Sequence, residues 1–283
     1  MTETRKGRLT VVGTGMMLGA HISAIARSEI EAADRVFCLT DGATESWIGR
    51  LNPEMVSLQP HYAVGKYRPD SYRAMIEDVL AALRTGRSVC LALYGHPGVY
   101  ALIGHRAIAI ARAEGHDCRM EPGISAEDCL YADLGLDPGT HGCQSYEATA
   151  FLMRDVRIDP AALLLLWQIA LVGETSLTHF DTDPERIGIL VDKLVGAGYP
   201  RDHRVILYRA AMLALETPHI AHIALNDLPR AEIDPLTTLV LPPARRAAKD
   251  EAVGARLGAL EKRAAPRQTI DSNRTLRRDR AAP

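Results

Sequence analysis

The stretch Ser88–Pro138, SVCLALYGHPGVYALIGHRAIAIARAEGHDCRMEPGISAEDCLYADLGLDP, decides the fold. An apolar run, Val89 to Leu93, ends in a Gly/His/Pro turn; a helix follows, then a short strand, and a second glycine turn opens another helix. Two strand-to-helix turns in one stretch are the places where α/β proteins put their ligands.

Upstream, Leu9 to Val12 is an apolar run ending at Gly13-Thr14-Gly15, and helical spacing through Ile22, Ile25 and Ala26 follows. Arg35 to Leu39 reads as a second strand closed by Thr40-Asp41-Gly42, and Met55 to Leu58 as a third. A loop bearing His61, Tyr62 and Lys66 leads to Arg68-Pro69. Pro69 suits a first helical turn, where its missing N–H has no partner to lose, and Asp70 complements the helix dipole. Tyr72, Met75, Ile76, Val79, Leu80 and Leu83 then share one helical face that ends at Gly86. Arg68 and Tyr72 are four residues apart, so their side chains can meet.

After Pro138 the pattern changes. Cys143–Tyr146, Leu163–Ala170, Val205–Tyr208, His219–Leu225 and Thr237–Leu241 are short apolar or alternating runs, with a helix between Pro184 and Val195. The expected organisation is therefore an α/β subdomain over residues 1–138, a strand-rich α/β subdomain over 139–243, and a basic tail over 244–283. The cleft between the two subdomains is the expected ligand site. The tail reads as a marginal helix through Val253, Leu257 and Leu260, then a disordered, arginine-rich end after Pro266.

The 283 residues carry a net charge of −2, which points to no nucleic-acid or membrane partner. That sum hides an asymmetry: residues 244–283 hold 11 Lys/Arg against 5 Asp/Glu, and the first 243 hold 22 against 30. Five cysteines, with no Cys-x-x-Cys pair, fit free thiols in a reducing compartment. No run reaches the ~18 apolar residues of a membrane span, and the N-terminus lacks a signal-peptide segment, so a soluble, cytoplasmic protein is expected.

Gly13-Thr14-Gly15 is half of a dinucleotide fingerprint, but Leu18 stands where the third glycine belongs, and Asp41 could contact a ribose. Tyr94-Gly95-His96-Pro97-Gly98-Val99-Tyr100 leaves backbone groups open at a strand end; it is also explained as a tight turn with a structural His96. Ser125, with Asp128 three residues on, fits a capping box, and the small Ala126 beside it leaves room for a ligand. By pattern alone Tyr72 is a core tyrosine and Arg68 merely flanks a helix start. His219 and His222, three apart in a strand, face opposite sides, so no metal site is expected.

Taken together, VVGTGM, YGHPGVY, HRAIAIARAEG and PGISAEDCLYADLGLDP resemble the methyltransferase domain of borosin-type peptide backbone α-N-methyltransferases, within the tetrapyrrole methylase superfamily, over roughly residues 8–243. The resemblance implies a two-domain α/β tetrapyrrole methylase-like fold that binds S-adenosylmethionine in the interdomain cleft, releases S-adenosylhomocysteine and works as a homodimer. It further implies a pocket of Tyr94, His96, Pro97, Val99, Tyr100, Ser125 and Ala126, completed by Gln168, Tyr208, Ala211, Thr237 and Thr238, with Gly13 and Gly15 in the first glycine turn. Arg68 and Tyr72 match the catalytic arginine and tyrosine, with Tyr62 and Tyr94 as further active-site hydroxyls. An amide nitrogen is a poor nucleophile because its lone pair is delocalised into the carbonyl. It must lose its proton before it attacks a methylsulfonium, so Tyr72 is the implied base, and Arg68 with Tyr62 would stabilise the developing imidate oxygen.

Fused members of that family carry a helical clasp and then their own core peptide. The 40 residues after Pro243 are too few for both, so methylation of a separate precursor peptide, repeated along it, is expected. A methyltransferase acting on a tetrapyrrole or another small molecule is the alternative, and a catalytically silent peptide-binding protein a third.

Overall fold

The computed structural model describes residues 6–264; the expected disordered end after Pro266 lies outside them. Among these described residues, those up to Arg245 form one compact unit and those from Arg246 a second. The first unit runs β1 (Arg8–Gly13), α1 (Ala24–Ala32), β2 (Arg35–Leu39), α2 (Gly42–Leu51), β3 (Met55–Ser57), α3 (Arg68–Arg84), β4 (Ser88–Leu93), α4 (Leu102–Ala113), β5 (Asp117–Glu121) and α5 (Ala126–Leu134). It continues through α6 (Pro138–His141), β6 (Cys143–Glu147), α7 (Ala148–Met153), β7 (Leu163–Trp167), α8 (Pro184–Gly196), β8 (Arg204–Arg209), β9 (His219–Ala224) and β10 (Thr238–Leu241). In the second unit lies α9 (Glu251–Ala264), where the marginal helix was expected.

The first five strands make a parallel sheet in the order β3-β2-β4-β1-β5. Side chains alternate across a strand, so Val89, Leu91 and Leu93 of β4 pack with α3 and α4 while Cys90 and Ala92 pack with α1 and α2. Burial on both faces is why SVCLAL reads as an unbroken apolar run. The second sheet is mixed, in the order β6-β7-β10-β8-β9, with only β6 and β7 parallel. One face packs under α8; the other carries Leu165, Trp167, Ile206 and Tyr208 against Met16, Tyr94 and Leu130 from the first half.

Three local expectations change. The glycine turn after β1 does not open a helix directly: α1 begins nine residues after Gly15, capped by Ser23, so no helix N-terminus meets that turn. Asp41 is the N-cap of α2, with Oδ1 accepting from the Ala43 and Thr44 amides and Oδ2 from the Thr44 hydroxyl, so its oxygens serve the helix rather than a ribose. The apolar run after Leu163 leaves the sheet at Trp167, because Gln168 takes a left-handed conformation (φ 59°) and starts a 3₁₀ turn.

Candidate active site

Three loops follow the C-terminal ends of β1, β4 and β5, and their glycines touch. Gly15 and Gly95 exchange backbone hydrogen bonds of 3.1 Å each way. A Cβ on Gly13 would stand 2.3 Å from the Gly95 carbonyl oxygen and 3.0 Å from the Gly123 Cα, so this packing admits only hydrogen there. Gly13 and Gly15 thus brace the turn after β4 and do not themselves line the cavity beyond it.

That cavity, of about 300 Å³, lies between the two sheets. Of the expected residues it is lined by Tyr62, Tyr72, Tyr94, His96, Val99 and Tyr100, and by Ser125, Ala126, Gln168 and Thr238. Pro97, Tyr208, Ala211 and Thr237 stand outside the lining, as does Arg68. Tyr208 is fully buried behind it and donates to Asp133 Oδ2 at 2.7 Å, and Thr237 is tied to Asp234. Both therefore shape the wall from behind.

The Ser125 hydroxyl is committed locally: it accepts from the Asp128 amide at 3.2 Å and donates to Asp128 Oδ2 at 2.6 Å, the capping box of α5. In His96, Nδ1 accepts from the Gly98 amide at 3.0 Å, which makes Nε2 the donor of the neutral ring. Burial, with Cys129, Asp41 and Asp234 nearby, pushes the Tyr94 phenol well above its usual range, so this hydroxyl stays protonated at neutral pH.

At the other end Tyr62 and Tyr72 meet edge to face, ring centroids 6.2 Å apart at 86°. Burial, then Tyr72 itself, push the Tyr62 phenol up, partly opposed by the Arg68 charge. Arg68 does not turn to Tyr72. Its Nη2 donates to Glu174 Oε2 at 3.0 Å, and its guanidinium lies over the Phe180 ring, Cζ 5.4 Å from the centroid. Phe180 also packs edge-on against Tyr62 at 6.2 Å. The Arg68 amide, one of the orphan donors at the start of α3, finds the Leu177 carbonyl at 2.9 Å, and Gly65 donates to Thr178 at 3.0 Å. A single segment from the second half, residues 174–180, therefore straps the start of α3.

Among the described residues three non-glycine positions have positive φ: Tyr100 (50°), Gln168 (59°) and Leu177 (56°). Two line the cavity and the third holds the Arg68 amide, so backbone strain of roughly 1–3 kcal/mol each is concentrated here. The sequence reading missed Glu174, Phe180, Met16, Trp167, Glu127 and Leu236. Trp167 and Glu127 join one polar wall: the Trp167 indole donates to Ser145 at 2.7 Å, and the Tyr131 hydroxyl donates to Glu127 at 2.6 Å. Met16, Glu127, Trp167 and Leu236 each adjoin a candidate residue, Gly15, Ala126, Gln168 and Thr237 respectively, whereas Glu174 and Phe180 adjoin none. His219 and His222 lie on β9, and the described residues contain no His, Cys, Asp and Glu cluster able to hold a metal.

A parallel α/β sheet with its strand-end glycine turns facing a second, mixed sheet across a cleft defines a methylase-type architecture. Residues 8–222 match the tetrapyrrole (corrin/porphyrin) methylases, and the chain belongs to that family. It is 40% identical over 247 residues to the methyltransferase and gymnopeptides precursor of Gymnopus fusipes, a match covering 86% of this chain and 59% of that protein. It is likewise 40% identical over 253 residues to a type I borosin methyltransferase and cyclic peptide precursor of Coprinopsis marcescibilis, covering 87% and 64%. The chain thus spans about three fifths of the length of these relatives. Among solved structures, uroporphyrin-III C-methyltransferase from Thermus thermophilus, in complex with S-adenosylhomocysteine, shares the fold at a TM-score of 0.59 and 18% identity, covering 84% of this chain and 98% of that one.

Proposed function

We propose that the protein is an S-adenosylmethionine-dependent α-N-methyltransferase of peptide backbone amides, acting repeatedly on a separate precursor. The observation that carries this is the continuity of one cavity: it runs from the glycine turn at Tyr94 and Gly95 to the Tyr62–Tyr72 pair, with Arg68 held behind that pair. The cofactor fits the groups present. Apolar walls of Met16, Trp167 and Leu236 suit a purine, while the Gln168 amide, the Thr238 hydroxyl and His96 supply donors and acceptors for a ribose and an amino acid. Tyr94, His96, Val99, Tyr100, Ser125, Ala126, Gln168 and Thr238 are the residues proposed to hold it. Bound there, S-adenosylmethionine supplies an electrophilic methyl group on a sulfonium.

The chain's own residues must then make an amide nitrogen nucleophilic. Tyr62, its phenol pushed up by burial, stays a neutral hydroxyl and donates to the amide oxygen. Tyr72 beside it is proposed to take the N–H proton as base. Arg68, whose Nε is buried with no hydrogen-bond partner, offers positive charge to the oxygen on which the negative charge collects. A tetrapyrrole substrate is less well served, because no Lys or Arg lines the cavity to meet its carboxylates.

The test is mass spectrometry of the purified protein incubated with S-adenosylmethionine and candidate precursor peptides supplied in trans. Products spaced by one methylene, located on backbone nitrogens by fragmentation, are expected. Cofactor binding with no transfer to any peptide would sink the substrate assignment, and transfer only to a peptide fused to this chain would correct the separate precursor. A homodimer belongs to the same proposal and rests on the resemblance, and a cytoplasmic location rests on five cysteines with no Cys-x-x-Cys pair; sedimentation of the purified protein checks the dimer.

A further inference from the structure

The strap over α3 contains a carboxylate that the chemistry above does not use. Glu174 is 1% exposed, and both of its oxygens are taken: Oε2 by Arg68 Nη2 at 3.0 Å, Oε1 by the Ser176 amide at 3.0 Å and the Ser176 hydroxyl. Burial pushes the Glu174 carboxyl up, but the Ser176 hydroxyl and amide, the Arg68 charge and the His179 backbone outweigh it and hold the group below the usual carboxylate range. It is therefore ionised, and a buried carboxylate this enclosed is costly unless its partner is in place. Arg68, with its side chain only 12% exposed, is held at one end of the guanidinium by that carboxylate and on one face by Phe180, while Nε has no partner.

We propose that Glu174 is a positioning residue: it fixes the plane and reach of the Arg68 guanidinium behind the Tyr62–Tyr72 pair, so that its positive charge is held in place for the acceptor amide. This rests on the proposed methyl transfer to a peptide. A guanidinium fork tethered at Nη2 loses most of its rotational freedom before substrate arrives, so its charge needs no reorganisation as negative charge develops on the amide oxygen. Glu174 touches neither substrate nor cofactor in this scheme and acts only through Arg68.

A double-mutant cycle of Glu174→Gln with Arg68→Met tests this. Glu174→Gln alone is expected to lower kcat about tenfold or more, the loss of one charge-assisted hydrogen bond, while KM for the peptide and Kd for S-adenosylmethionine stay within about threefold. In the Arg68→Met background the same change should alter kcat by less than about twofold. Multiplying losses, or a loss of cofactor affinity that matches the loss of rate, would overturn the proposal. Should the Gln variant fail to fold, Glu174→Asp retains the charge but withdraws it by one methylene, and an unchanged kcat in that variant counts against positioning. Thermal melting separates this idea from the substrate assignment, since it needs no turnover. Arg68→Met should lower Tm by stranding a buried carboxylate, and Glu174→Gln in that background should raise it again; no recovery would show that the pair does not act as a unit.

Discussion

At the scale of single residues, the proposed chemistry divides its labour between two touching phenols. Tyr62 and Tyr72 are chemically alike, and burial holds the proton on Tyr62. If Tyr72 is the base, Tyr72→Phe should cut kcat by about 10²–10⁴-fold with the Kd for S-adenosylmethionine unchanged. On the proposed mechanism Tyr62→Phe removes only a donor to the amide oxygen, and a loss of about tenfold to a hundredfold is expected. Near-normal turnover by the Tyr72→Phe variant, measured on the peptide that the unaltered protein modifies, would remove Tyr72 from the mechanism. Tyr62, Tyr72 and Arg68 were singled out by the family resemblance and not by their own pattern, which made Tyr72 a core residue; the cavity brings the tyrosines together and leaves Arg68 outside its lining. Glu174 and Phe180 were not singled out, because in LVGETSLTHF they read as ordinary loop residues. Only the folding of that loop onto α3 buries the acid and turns the ring toward Arg68.

At the scale of elements, the glycines after β1 illustrate what a motif can hide. GTG after a strand suggested a ligand-facing turn, and the β-α-β order around it was read correctly because the apolar runs are buried on both faces. What pattern could not show is that the turn's neighbours are other turns. Gly13→Ala would put a methyl 2.3 Å from the Gly95 oxygen and 2.8 Å from Pro97 Cδ, against backbone and a rigid ring that cannot step aside. The expected cost is about 2–4 kcal/mol, seen as a lower midpoint in urea, together with weakened cofactor binding because the Gly95 turn shifts. Gly49→Ala is the matched control. That glycine sits inside α2, and its nearest neighbour, Met55 Cε, would be at an ordinary 3.5 Å, so a gain of up to about 1 kcal/mol is expected. Similar losses at both positions would show that the turn contact does not matter.

For the molecule as a whole, we propose that the two sheets are subdomains dividing near residue 138, coupled by the strap as well as by the face that Met16 and Tyr94 share with Trp167 and Tyr208. Each half carries a buried acid whose neutral form the fold favours. Burial pushes the Cys38 thiol, in the first sheet, up to about 12, and burial with Asp159 nearby pushes the Tyr199 phenol, in the second half, up to about 12. By linkage, an acid raised in the folded state adds stability that is complete below its unfolded value, about 8.5 for Cys and about 10 for Tyr. That stability drains away as pH rises through the folded values near 12. The chain has two tryptophans, Trp47 in α2 and Trp167 in β7, so Trp47→Phe and Trp167→Phe variants each report on one half by fluorescence. If the contacts across the cleft couple the halves, urea midpoints of the two variants should fall together as pH is raised between about 9 and 12. Midpoints that separate would mean that each sheet unfolds alone; the strap would then be a local clasp on α3 rather than a joint between the two halves.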